Sequence, residues 1–280
     1  MGAQFPVGSR PKAVVFDGGS LWVANELGGE IAQVRVSDGV VVSRLSLKDN
    51  PVAAAFDGDH LWVTSAQANT VTKIRLRNAA GATIPEIAGS FAVGSSPMAV
   101  RYDGAHIWTA NFSDNTVTKL RASDGAHLGT FPVGAGPTDL AFDGLHVWVA
   151  NEFDGSVTKL RATDGIVSGV FAAGSAPASL AFDGVNVWVA AKGDNSVIKL
   201  NAADGAVVGK YAVGESPSAL VFDGQSIWAA NAVGNSVTKL RADDGSLGGT
   251  YSTGQVPIAV CFDGANVWVS NQASNTLSKF

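Results

Sequence analysis

Apolar and polar positions along this chain sort into short apolar runs separated by turn chemistry, and the runs come in sets of four. The stretch from Gly136 is representative: G-P-T-D-L-A-F-D-G-L-H-V-W-V-A-N-E-F-D-G-S-V-T-K-L-R-A-T-D-G-I-V-S-G-V-F-A-A-G. A proline, an Asp-Gly, an Asn-containing loop and a second Asp-Gly bound the runs. Asp-Gly between β-prone segments is a hairpin signal, because tight hairpin turns need positive φ. The pattern predicts four antiparallel strands per set: A (as in residues 140–142), B (147–150), C (157–161) and D (167–172). In V-W-V-A both faces of the strand are apolar, so both should be buried, as in a sheet packed between two like sheets.

The set repeats. All seven tryptophans fall in one series, Trp22, Trp62, Trp108, Trp148, Trp188, Trp228 and Trp268, spaced by 40 residues except for one interval of 46. A fixed period near 40 marks a repeat architecture. Four-stranded sheets packed radially make a β-propeller, so the expected fold is all-β, a single seven-bladed propeller over residues 1–280. Its blades are expected at 11–50, 51–96, 97–136, 137–176, 177–216, 217–256, and 257–280 completed by 1–10. The last unit stops after strand C at Phe280, while Phe5-Pro6-Val7-Gly8 matches the strand-D segment Phe131-Pro132-Val133-Gly134. The N-terminus is therefore expected to supply the missing strand and close the ring, which removes an open edge. The long interval is an insertion in the C–D connection of blade 2, between Arg77 and Ser90.

Composition narrows the function classes. A net charge of −5 gives no basic footprint, so neither nucleic acid nor an anionic membrane is an expected partner. The lone Cys261 excludes an internal disulfide and a thiolate metal cluster, and it replaces Ala141 or Val221 of other blades, so it reads as a buried, inert thiol. No apolar run of membrane length and no signal peptide is present. The abrupt start suggests an excised domain of a larger bacterial protein, and the compartment stays open. A monomer is expected.

The repeat F-D-G-x-x-V-W-V-A-N-x-x-x-N-S-V-T-K-L resembles YVTN and NHL-type bacterial propellers and the virginiamycin B (streptogramin) lyase group. The resemblance covers the whole chain. It implies fold rather than activity, since such propellers include lyases, lactonases and binding modules. It also implies that the D–A and B–C loops share the face that holds a site, and that a lyase would use a histidine and carboxylates at a metal there. All four histidines instead map to the opposite face, His60, His106 and His146 in A–B turns and His127 by a C–D turn, so the lyase reading lacks its base.

Residues common to every blade serve the blade, and those that break the pattern are site candidates. The tryptophans read as core. The Asp of each Asp-Gly reads as turn chemistry bonding local amides, and so do the asparagines at either end of the B–C loops, such as Asn151, Asn231, Asn195 and Asn235. The lysines Lys73, Lys119, Lys159, Lys199, Lys239 and Lys279 read as outward-facing, solvated or snorkelling. The ligand-binding candidates on the loop face are Glu26, Phe112, Asp139, Glu152, Phe153 and Lys192, with Gln272, Arg10, Lys12, Lys48 and Glu215 as further irregular positions. Asp139 stands where other blades have Ala or Ser; with Glu152 in the same blade it could hold Ca²⁺ or Mg²⁺ through oxygen, although the rest of a cage is hard to assemble. No catalytic residue and no cofactor is assigned. Arg101 stands where other blades have Ala, Val or Cys, and a neighbouring acid is its expected partner. The expectation is a non-catalytic scaffold binding a protein, peptide or small ligand on the loop face. Two alternatives are a metal-dependent lyase or lactonase using Asp139 and Glu152, and a multivalent lectin; differences among the B–C loops disfavour the lectin on that face.

Overall fold

The computed structural model describes residues 3–47, 49–77 and 83–280. Its strands form seven four-stranded antiparallel sheets, each built from consecutive strands except the last. Blade 4 shows the plan: strand A is Pro137–Phe142, B is His146–Asn151, C is Ser156–Arg161 and D is Val167–Ala172. The A strands contact one another in sequence around the ring, and the last of them (Pro257–Phe262) meets the first (Pro11–Phe16). Strand A therefore lines the central channel and strand D, with alternating exposure, forms the rim. Among the described residues the one helical segment is a 3-10 turn at Lys192–Asp194. No helix among the described residues is long and apolar enough to cross a membrane.

The ring closes as the terminal match implies. The N-terminal strand Ala3–Pro6 pairs antiparallel with Thr276–Lys279 and is the outermost strand of blade 7. Phe5 lies 5.6 Å from Trp268, the place that Phe131 takes beside Trp108 at 5.7 Å. The insertion in blade 2 lengthens its C–D hairpin: strand C runs over Thr70–Arg77 and strand D over Thr83–Ala92.

One three-residue device recurs in the core. Each tryptophan is buried, six of them completely. Its indole N–H donates to the Asp of the preceding Asp-Gly turn, as from Trp148 to Asp143 at 2.8 Å, while the other oxygen of that carboxylate accepts the Leu145 and His146 amides. The turn aspartates thus hold local amides as expected, and they also tie the A–B turn to the core. Burying a tryptophan is worth several kcal/mol per ring by area, roughly 25 cal/mol per Å² over about 200 Å², and this bond lets the polar edge go inside without loss.

The lysines correct the expectation of an outward, solvated side chain. Lys73, Lys119, Lys159 and Lys199 are buried, 4–7% exposed. The Lys159 ammonium lies 4.9 Å from the Trp148 ring centroid and donates to the carbonyl of Ala202, 2.7 Å away in the next blade. Lys73, Lys119 and Lys199 repeat this onto Ala122, Ala162 and Ala242, and Lys279 reaches Val36 of blade 1. A buried cation is tolerated only when paired; here two carbonyls and an aromatic face do so, and the result is a tack between blades. Lys239 keeps its place over Trp228 at 4.7 Å, but it faces the blade whose strand C ends at Phe280; its partner is Asp223 of its own blade at 3.5 Å.

The first Asn of the B–C loop is also more than a turn device. Asn151 is fully buried and its amide donates to Ser156 and Thr158 of strand C, at 3.1 and 2.9 Å, as Asn231 does to Ser236 and Thr238. The last Asn also reaches beyond its own turn: Asn195 and Asn235 accept the Ser216 and Val256 amides of the D–A loop, 21 residues along the chain.

Candidate functional site

On the face formed by the D–A and B–C loops, blades 1 and 3 to 7 zip their two loops together through backbone. The residue before the strand-A proline adopts a left-handed conformation, with φ of 57° at Arg10, 53° at Ser96, 66° at Gly136, 51° at Ala176, 58° at Ser216 and 55° at Val256. Its carbonyl accepts the amide of the second B–C loop residue, as Gly136 does from Glu152 at 2.9 Å and Ala176 from Lys192 at 3.1 Å. This pins the second position of six loops around the face: Glu26, Phe112, Glu152, Lys192, Ala232 and Gln272. Four of the six candidates lie on it, and Phe153 follows directly.

Four candidates come together over blades 3 to 5. The Phe112 and Phe153 rings meet edge to face, centroids 5.2 Å apart. Phe153 is nonetheless 70% exposed. Gly136 lies beneath the pair: a Cβ there would come within 2.8 Å of the Phe153 ring and 3.2 Å of the Phe112 ring. Beside the rings, the Lys192 ammonium stands 3.7 Å from the Glu152 carboxylate across the blade boundary. Glu26 is apart from this group and pairs with Arg10, in the loop that enters blade 1, at 3.1 Å.

Asp139 lies deeper, on strand A. A bulge in that strand sets Pro137 opposite Asn151 but Asp139 opposite Ala150, which re-aims the third position. One carboxylate oxygen accepts the Leu140 amide, and the other accepts the Ser179 hydroxyl and the Leu180 amide of blade 5, each at 2.8 Å. Ser179 in turn accepts the Leu220 amide of blade 6 at 3.1 Å. Asp139 thus terminates a relay of strand-A amides running across three blades. With three donors already on its carboxylate, it fits a wall residue better than a cation ligand. No group of three or more His, Cys, Asp or Glu among the described residues is placed to hold a metal ion. The donors here do not fit the divalent ion that the carboxylate pair suggested, and no chemistry is routed through one.

The remaining irregular positions disperse. Lys12 is half-buried on strand A of blade 1 and Glu215 is exposed in its loop, while Lys48 lies outside the described residues. Arg101 meets a carbonyl instead of an acid: its Nε–H donates to Leu140 at 2.9 Å, in the next blade. The histidines are on the opposite face as expected, His60, His106 and His146 each lying 3.1–3.5 Å from the turn aspartate of its own blade. Burial pushes the Cys261 thiol up to about 12. Gly136 was not among the candidates, although the sequence carries a sign of it: it is the sole glycine among the residues preceding the strand-A prolines.

No family model matches the chain and no curated protein resembles it in sequence. Among solved structures, hydrazine synthase from Kuenenia stuttgartiensis superposes with a TM-score of 0.83 at 18% identity, over 100% of this chain and 97% of that one. Streptogramin B lyase gives 0.81 at 17%, over 99% and 96%. A catalytically inactive virginiamycin B lyase from Staphylococcus aureus, with quinupristin, gives 0.79 at 17%, over 97% and 94%. At this identity the likeness speaks for the fold alone: the chain is a complete seven-bladed propeller, similar in architecture to the streptogramin lyases.

Proposed function

We propose that the protein is a non-catalytic binding scaffold that takes a peptide or small organic ligand on its loop face, over blades 3 to 5. The observation that carries this reading is the exposed Phe153 ring packed on the half-buried Phe112, seated on Gly136 beside the Glu152–Lys192 ion pair. Aromatic rings held rigidly at a surface offer apolar area at little entropic cost, and covering one ring contributes about 2 kcal/mol. The ion pair alongside offers an acceptor and a donor to orient what the rings hold. A propeller of the same architecture is known with an organic ligand, quinupristin, in the virginiamycin B lyase. An acid–base mechanism finds less support on this face: the histidines are on the other side, Asp139 is engaged with backbone amides, and Glu152 faces a lysine.

Selection of a displayed random-peptide library on the full chain tests this. Selected peptides should carry an aromatic or large apolar residue and lose at least tenfold in affinity for Phe153→Ala, about 1.4 kcal/mol, with an unchanged melting temperature. Binders that ignore Phe153 and Glu152 alike, or a selection that returns none, reject the reading.

A further inference from the structure

Blade 2 departs from its neighbours at one buried hydrogen-bonding position. In blades 3, 4, 6 and 7 the asparagine that ends strand B donates its side-chain amide to two hydroxyls of strand C. Asn111 meets Thr116 and Thr118, Asn151 meets Ser156 and Thr158, Asn231 meets Ser236 and Thr238, and Asn271 meets Thr276 and Ser278, all at 2.9–3.1 Å. Blade 2 keeps both hydroxyls, as Thr70 and Thr72, but has Ser65 in place of the asparagine. Serine is too short to bridge the pair, and its own hydroxyl accepts the Ala68 amide of the B–C loop at 3.3 Å.

Both acceptors therefore lose their donor. The Thr70 hydroxyl is buried with no hydrogen-bond partner among the described residues, which is costly for a polar atom shielded from water. The Thr72 hydroxyl meets only Ser90, at 3.4 Å. Thr72 is also partly exposed, whereas its equivalents Thr118, Thr158 and Thr238 are 1% exposed. Beside it opens a cavity of about 230 Å³, polar at Ser65 and Thr72 and apolar at Leu47, Pro51, Val63 and Ile87. Thr64 reaches the cavity too, but its hydroxyl is engaged by the Ala53 backbone. Among the described residues Asp49, which is exposed, is the one charged group in the lining. Blade 5 lacks the asparagine as well, at Ala191, but there Ile198 replaces the threonine and packs with Ala191 in one apolar cluster. Blade 2 has no such replacement.

We infer that this cavity binds a small neutral primary carboxamide, whose –NH₂ group donates to Thr70 and Thr72 as the asparagine amide does in four other blades. The apolar body of the ligand lies against Leu47, Val63 and Ile87. A cavity of roughly 150 Å³ holds a benzene ring, so this one admits a single ring with its amide. A tertiary amide has no N–H to give the two hydroxyls, and the Asp49 carboxylate opposes an anion. The site lies in blade 2, on residues that the Phe112–Phe153 surface of blades 3 and 4 does not share.

Titration of the full chain with benzamide, N,N-dimethylbenzamide, benzoate and benzylamine, followed by the methyl NMR signals of Leu47, Val63 and Ile87, tests the assignment. Benzamide should shift these signals saturably and bind at least tenfold more tightly than the other three. In Thr70→Val/Thr72→Val, which keeps the volume and removes both acceptors, benzamide affinity should fall at least tenfold while the melting temperature is held or raised. A second variant lets the protein supply its own carboxamide. The glycine that faces the asparagine amide in other blades, such as Gly94 or Gly134, would bring a Cβ within 2.6–2.7 Å of it, and the sequence has Lys48 at that position before blade 2. Lys48→Gly/Ser65→Asn should therefore abolish benzamide binding and raise the melting temperature. Phe153→Ala should leave benzamide binding unchanged. The proposal is overturned if benzamide does not bind saturably, if either double variant binds it as the unmutated chain does, or if one of the other three probes binds as tightly.

Discussion

At the residue scale, one type of position carries unusual strain. The residue before the strand-A proline sits at positive φ in every blade but blade 2, and in blade 7 that residue is Val256, whose branched side chain is poorly suited to the left-handed region. The Asn235 side chain, accepting its amide at 2.9 Å, helps to hold it there. Val256→Asn should raise stability by about 1 kcal/mol, since asparagine tolerates this conformation, and a higher melting temperature checks it. Cys261 offers a second test. With its thiol pushed up to about 12 by burial, it should resist iodoacetamide at pH 8 in the folded protein and react promptly on unfolding. The left-handed positions were not legible in the sequence, because Arg, Ser, Ala and Val carry no sign of φ and the hydrogen bonds that impose it come from another loop.

At the element scale, the Asp–Trp–Lys device makes blades 2 to 5 and 7 both packing units and links to the next blade. The carboxylates of Asp103, Asp143, Asp183, Asp223 and Asp263 feel opposing influences. Burial pushes them up, and the indole and amide hydrogen bonds outweigh it, so all five lie below the usual carboxylate range. Their folded pKa values are depressed, so their contribution is complete above the unfolded value near 3.8 and is lost as pH falls through the lower folded values. The melting temperature should therefore hold between neutrality and about pH 5 as far as these groups are concerned and drop steeply below about pH 4. The lysines provide an internal comparison. Lys159→Met removes a buried ammonium that donates to the Ala202 and Ala203 carbonyls, and should cost about 1–3 kcal/mol. Lys239→Met, at the one tack with no carbonyl of the next blade to reach, should cost clearly less, and chemical denaturation of the pair reads the difference. Strand C showed a lysine eleven positions after the tryptophan in six of the seven repeats, but which way it pointed depended on a carbonyl some 43 residues further along.

At the scale of the whole molecule, the ring depends on its terminal closure. Phe5→Ala empties the place against Trp268 that every other blade fills with its own strand D, and should cost about 3–5 kcal/mol by the cavity it leaves. Equilibrium unfolding by guanidinium chloride measures this directly. The same scale assembles the candidate site on the loop face. Phe112, Phe153, Glu152 and Lys192 come from three successive blades and meet because the ring brings equivalent loop positions side by side.

The repeat by itself determined the blade count, the strand order, the burial of the tryptophans and the closure by the N-terminus. Each of these follows from local periodicity and turn chemistry, which are written in consecutive residues. Only the tertiary structure decided that the lysines tack blades together, that Asp139 ends a relay of channel amides, that Arg101 meets a carbonyl and that two phenylalanines from different loops share one surface. Those outcomes rest on contacts between residues some forty positions apart, where an identical local sequence acquires its role from whichever blade the ring sets beside it.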